Sequence, residues 1–199
     1  MVEFLKTVYY WSCVGIVALF SFAFFPCRVY GRENIPAKGG CVYAANHESN
    51  IDPVLLPVVS PRRMRFIAKD SLFRHPVLGA MIRCGGGIPI RRGVADRGAL
   101  SEALRQIESG YPVLIFPQGT RSGTRVQAGV GFLALTSGVP VVPILIEDTE
   151  KVLPKGAWFP KRTHVRVTFG KPLTFTSNVG SQEASDKVME AINALKYKG

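Results

Sequence analysis

Eighteen consecutive residues, Val8 to Phe25, carry no charge, and only Ser12, Ser21 and Gly15 dilute their apolar character. Pro26 ends the run. As a helix it would be roughly 27 Å long, close to the ~30 Å hydrocarbon core of a bilayer. A secretory leader needs a positive start and a small-residue cleavage site. Here Glu3 and Lys6 cancel, and Phe22-Ala23-Phe24-Phe25-Pro26 supplies no such site. A core helix normally keeps a polar stripe, and this run has none. It therefore reads as a membrane-anchoring helix, lying across the bilayer or partly in it, with Tyr9, Tyr10 and Trp11 as an interfacial belt. Arg28 and Arg32 follow the run and only Lys6 precedes it, which places the rest of the chain at the cytoplasmic face of a cell membrane.

The expected division is an anchoring segment, residues 1–27, and one domain, residues 28–199, since 199 residues leave no room for two good cores. A net charge of +11 calls for an anionic partner: nucleic acid, membrane or a charged metabolite. The arginines at 62, 63 and 65 suit an anionic surface, although a cluster like this is often only solvated. Cys13, Cys27, Cys41 and Cys84 have no paired or zinc-ligand spacing, so reduced structural thiols are expected and no metal site.

Beyond the anchor, short apolar runs alternate with helical patterns. Residues 40–45, 64–68, 88–90, 112–116 and 164–169 read as strands. Residues 139–146 read as an edge or interrupted strand because of Pro140 and Pro143. Residues 71–83 have helical spacing despite Pro76. Leu100, Ala103, Leu104 and Ile107 mark a one-faced helix stopped at Gly110. Residues 129–136 and the stripe Ala184, Val188, Ala191, Ile192 and Leu195 give two more helices. The alternation predicts an α/β fold, a mixed but largely parallel sheet flanked by helices.

Two segments behind predicted strands carry chemistry, where such sheets usually bind ligands. His47 is followed five positions on by Asp52, which with Pro53 looks like a helix start, Asp52 being the cap. A neutral imidazole held at one nitrogen by a carboxylate is a general base at the other. Alone, an H-x-x-x-x-D pattern is more often a satisfied loop histidine beside a capping aspartate. Gly119-Thr120-Arg121-Ser122 follows the run 112–116. Its turn amides, its hydroxyls and the fork of Arg121 suit a phosphate, although alone it is a polar turn. Arg91, Arg92 and Lys69 follow other strands and are equally plausible as solvated cations.

Together these segments resemble the glycerophospholipid acyltransferase family, in particular bacterial 1-acyl-glycerol-3-phosphate acyltransferases. Four family blocks stand in order: Asn46, His47, Ser49 and Asp52; Gly86, Ile88 and Arg92; Phe116, Pro117 and Gly119 to Ser122; and Val139-Pro140-Val141-Val142-Pro143. The likeness runs from about Val29 to Gly170. It implies a glycerolipid acyltransferase-like fold with His47 as base and Asp52 as its orienting partner. It implies substrate binding by Gln118, Gly119, Thr120, Arg121, Ser122, Arg92, Ser49 and Lys69. Gln118 departs from the usual Glu of the third block, which loses a charge but keeps an acceptor and adds donors. Gln127-Ala128-Gly129 also lacks the lysine of many relatives, and Arg125 stands nearby.

The resemblance implies transfer of an acyl chain from acyl-CoA or acyl-carrier protein to the sn-2 hydroxyl of lysophosphatidic acid, giving phosphatidic acid. No cofactor beyond that co-substrate is implied. The expected partners are membrane lipids, the lysolipid and the acyl donor. Other readings are an acyltransferase for another lysolipid or for glycerol 3-phosphate, a thioesterase, and a basic membrane-associated nucleic-acid binder. Nucleic acid is not expected, because no motif for it is present.

Overall fold

The computed structural model describes residues 1–91, 96–119, 125–154, 157, 159–176 and 178–196. A long helix, α1 (Val2–Phe24), leads into strand β1 (Cys27–Tyr30). Then come β2 (Cys41–Ala45), α2 (Asp52–Val59), β3 (Arg65–Lys69), α3 (Pro76–Cys84), β4 (Gly87–Ile90), α4 (Arg97–Glu108) and β5 (Pro112–Ile115). The chain closes with α5 (Gly129–Ser137), β6 (Val141–Glu147), a one-turn α6 (Thr149–Val152), β7 (Val165–Phe169) and α7 (Ser181–Ala194).

The strands form one sheet in the order β1-β7-β6-β2-β5-β3-β4. Every pairing is parallel except β6 with β7. The interior strands β2 and β5 are buried along their whole length, as a sheet covered on both faces requires. One face packs Tyr43, Leu55, Leu56, Ile144, Ile146 and Phe169 beneath α2. The other packs Ala103, Ile107, Leu133, Val188 and Ile192 beneath α4, α5 and α7.

Several sequence expectations need correcting. β6 is an interior strand despite Pro143 within it and Pro140 just before it. The Pro143 carbonyl accepts from Gly170 N–H at 2.8 Å, so its nitrogen faces β7's side of the strand, beyond the paired Ile144 and Phe169. The missing donor therefore falls where β7 has already ended. The pattern over 71–83 is two pieces, a 3₁₀ segment Asp70–Arg74 and α3, because Pro76 starts a new helix with His75 as its cap. The parallel edge strand β1 was not anticipated at all. Its four residues alternate apolar with polar faces, too short a pattern to stand out.

The anchor expectation needs a finer statement. Among the described residues, no helix is long and apolar enough to cross a membrane. Instead α1 packs along α2 and touches α3. It buries Tyr10, whose hydroxyl accepts from Met64 N–H at 3.3 Å. Its other residues include Phe4, Leu5, Val8, Trp11, Ile16, Leu19 and Phe22, all exposed. The arginines at 62 and 63 are not a free surface patch either. Arg62 donates to the carbonyls of Pro36, Gly39 and Gly110, tying loops together, and the Arg63 side chain is 10% exposed.

Candidate active site

Strand β2 delivers the histidine. Its last ladder step is made by a side chain: Asn46 Nδ2 donates to Ile146 O and Asn46 Oδ1 accepts from Ile146 N–H, both at 2.7 Å. The carboxamide thus imitates a peptide group of β2 and keeps pairing with β6 while the main chain leaves the sheet. Residues 46–51 then turn back toward α2, and the turn closes on one carboxylate.

That carboxylate is Asp52, fully buried. Oδ2 accepts from His47 Nδ1 at 2.8 Å and from the N–H groups of Glu48 and Ser49 at 2.7 and 2.8 Å. Oδ1 accepts from Thr149 Oγ1 at 2.6 Å. Asp52 is not the helix cap, since Ile51 holds that place; its carboxylate reaches back into the preceding loop. Because an ionised carboxylate only accepts, the hydrogen sits on Nδ1 and the lone pair on Nε2. Phe116 stacks on the imidazole with ring centroids 4.3 Å apart and planes 23° apart, which fixes the ring's tilt. An imidazole so held can take a proton at Nε2.

The second segment lies beside the first because β5 is β2's neighbour. Gly119 N–H donates to Phe116 O at 2.9 Å, closing a tight turn at the end of β5. Gly119 has φ +67°, a left-handed conformation that glycine adopts at no steric cost. Gln127 N–H then donates to Pro117 O at 2.8 Å, so the chain returns to the same turn. Gln118 lies in this turn, half-buried. Thr120, Arg121, Ser122 and Arg92 lie outside the described residues. Lys69 ends β3, exposed; the register Arg65–Val113 and Phe66–Leu114, continued, sets it level with Pro117. Ser49 is 2% exposed, and its hydroxyl accepts weakly from Ile51 N–H at 3.5 Å, so it braces the turn from inside.

Sequence reasoning missed three contributors. Thr149 follows β6, a hundred positions from the histidine turn. It is aimed by Asp148, which has φ +71° and is the described non-glycine residue with positive φ. Phe116 was matched to a block but given no role. Glu48, beside His47, has its carboxyl pushed up to about 7, first by burial and then by Glu150, with Asp52 adding to it. Among the described residues, no group of three or more His, Cys, Asp or Glu could hold a metal ion.

The family model for acyltransferases matches residues 26–147, more than half the chain and both segments of the site. The chain belongs to the acyltransferase family. A chloroplastic 1-acyl-sn-glycerol-3-phosphate acyltransferase of Brassica napus, BAT2, is 30% identical over 194 residues, covering 93% of this chain and 55% of that protein. A 1-acyl-sn-glycerol-3-phosphate acyltransferase of Bacillus subtilis is 26% identical over 171 residues, covering 83% of this chain and 84% of the relative. The chain thus spans about half the length of these plant relatives and most of this bacterial one. The crystal structure of the 1-acyl-sn-glycerophosphate acyltransferase PlsC from Thermotoga maritima superposes with a TM-score of 0.79 at 27% identity, covering 100% of this chain and 85% of that one.

Proposed function

We propose that this acyltransferase moves an acyl chain from acyl-CoA or acyl-carrier protein to the sn-2 hydroxyl of 1-acyl-glycerol-3-phosphate, giving phosphatidic acid. The observation that carries the reading is the 2.8 Å bond from His47 Nδ1 to a buried Asp52, which leaves Nε2 as the proton acceptor at the sheet edge where the β5 turn begins. The names of the relatives in both plants and bacteria support the acceptor.

In the proposed reaction Nε2 takes the proton of the acceptor hydroxyl as its oxygen attacks the thioester carbonyl carbon. The tetrahedral oxyanion collapses, the C–S bond breaks, and the thiolate leaves with the proton returned by the imidazolium. No acyl-enzyme forms, so no cysteine or serine nucleophile and no cofactor is called on. Cys41 fits this, because burial pushes its thiol up to about 11. Gln118, Gly119, Thr120, Arg121 and Ser122 are assigned to the glycerol phosphate, with Arg92 and Lys69 as further cations.

The lipid acceptor gives α1 its purpose. Residues 1–27 would hold the catalytic domain, residues 28–199, against the cytoplasmic face of the membrane by their exposed apolar side chains. The test is acylation of lysophosphatidic acid, other lysolipids and glycerol 3-phosphate by purified protein with each donor. His47→Ala is expected to lose about 10²–10⁴-fold in turnover while melting normally. Near-normal turnover in that variant would overturn the mechanism, and a preference for another acceptor would overturn the substrate.

A further inference from the structure

At the β4 edge of the sheet lies a cavity of about 600 Å³, lined by none of the described residues assigned to substrate. Lys6 of α1, Arg63 and Arg65 at the start of β3, and Arg83 near the end of α3 converge on it. Its carboxylates are engaged elsewhere. Asp96 accepts from Arg91 N–H and Ala99 N–H, and Glu102 accepts from Arg105 and from Gln106 Nε2. Lys6 is paired with Glu3 at 2.9 Å, so the net positive charge of the wall rests on Arg63, Arg65 and Arg83 set against Asp96 and Glu102.

Two of the four cations are held at a cost. Arg63 gives Nη1 to Thr7 Oγ1 at 2.7 Å and stands 3.7 Å from Glu3, but its Nε is buried with no hydrogen-bond partner among the described residues. Arg65 donates Nε to Gln106 Oε1 at 2.8 Å and lies 3.9 Å from the Tyr111 ring centroid. Arg63 lies 5.8 Å from the same ring. Burial and the Arg63 charge both lower the pKa of Arg65. Two guanidiniums sharing one ring repel each other, and an anion between them relieves that repulsion while meeting spare donors.

We propose that this groove binds the phosphate of an anionic phospholipid headgroup. Gly86 and Ile88 of the second family block line one side of the groove, but its Arg65 end stands apart from the acceptor site. Arg65 is in register with Val113, and Val113 with Val42, five residues before His47, or about 17 Å along the sheet. Inorganic phosphate offers the same chemistry to the groove. The lipid is favoured because Lys6 stands on the groove side of α1, four positions before the buried Tyr10, while the exposed Phe4 and Val8 occupy the opposite side of the same two turns. A helix resting in the bilayer surface by its apolar side brings the groove on its other side to the depth of the headgroups. The lipid assignment rests on the membrane reading of α1; phosphate binding does not.

The test uses the full chain with phosphatidylcholine vesicles, with and without phosphatidic acid, in a sedimentation assay. The wild type is expected to prefer the anionic vesicles about tenfold, and the exposed pair Lys6→Gln/Arg83→Gln to lose most of that preference while melting normally. Lys171→Gln/Lys187→Gln removes the same charge away from the groove and is expected to keep the preference. Inorganic phosphate alone should raise the melting temperature of the wild type and not that of the groove variant. Competition by millimolar phosphate would support the groove and show that free phosphate also fills it. Preference that survives in the groove variant, or falls equally in the control pair, overturns the proposal. Loss of binding to neutral vesicles would instead count against α1 as the membrane contact.

Discussion

Asp52 is the residue on which the site's geometry converges, and Thr149 is its least obvious support. Removing the Thr149 hydroxyl leaves Oδ1 buried and short of a donor, and a bond to a charged acceptor contributes about 1.5–3 kcal/mol. Thr149→Val is therefore expected to lower kcat about tenfold or more, with the acceptor KM unchanged, because in the proposed mechanism Thr149 positions His47 through Asp52 rather than touching substrate. Steady-state kinetics checks the split. Glu48 makes a pH prediction. Unfolded, it titrates near 4.5; folded, near 7. Between those values the native state keeps a proton that the unfolded chain has released, so stability falls as pH rises through the window and levels above it. Glu48→Gln removes that slope, and the difference in melting temperature between the two proteins across pH 4.5 to 7 measures it. His47 and Asp52 were legible as a pair only with the other three blocks beside them, since their spacing alone favours a loop histidine next to a capping aspartate. Thr149 was not, because nothing local marks a threonine that reaches a partner 97 positions away.

At the scale of elements, the sheet brings distant segments to one edge because β5 and β6 both flank β2. The helices opposite depend on close approach. Gly131 of α5 crosses α7 so tightly that an added Cβ would lie 1.9 Å from Ser181 O. Ser185 uses the approach, accepting from Gly131 N–H and donating to Ser181 O. Alanine improves helix propensity by up to about 1 kcal/mol, but the clash is with backbone, which cannot rotate away. Gly131→Ala is expected to destabilise the fold by about 1–3 kcal/mol, read as a lower urea midpoint. The helical stripes of α4 and α7 and the buried run of β5 were readable from periodicity. β6 was misplaced because Pro143 argues against an interior strand until its neighbour's end is known, and that is a fact about β7.

For the whole molecule, the proposed lipid acceptor makes α1 the face to test against a membrane. α1 carries Tyr10 inward and Phe4, Leu5 and Val8 outward, so substituting the outward residues leaves its packing alone. Burying each such side chain contributes about 1.5–3 kcal/mol. Phe4→Ser/Leu5→Ser/Val8→Ser is expected to weaken binding to neutral vesicles by at least tenfold, with an unchanged melting temperature, in a flotation assay. The uncharged run was plain in the sequence. What it packs against was not, since the tyrosine that faces inward looks like its aromatic neighbours. Asn46 has a further consequence, in chemical ageing. Its carboxamide completes the β2–β6 ladder, and hydrolysis to aspartate would set a carboxylate oxygen against the Ile146 carbonyl in place of a donor. The fold would keep its core while the strand end bearing His47 came loose, so old preparations of this protein would lose the proposed activity before they lost structure.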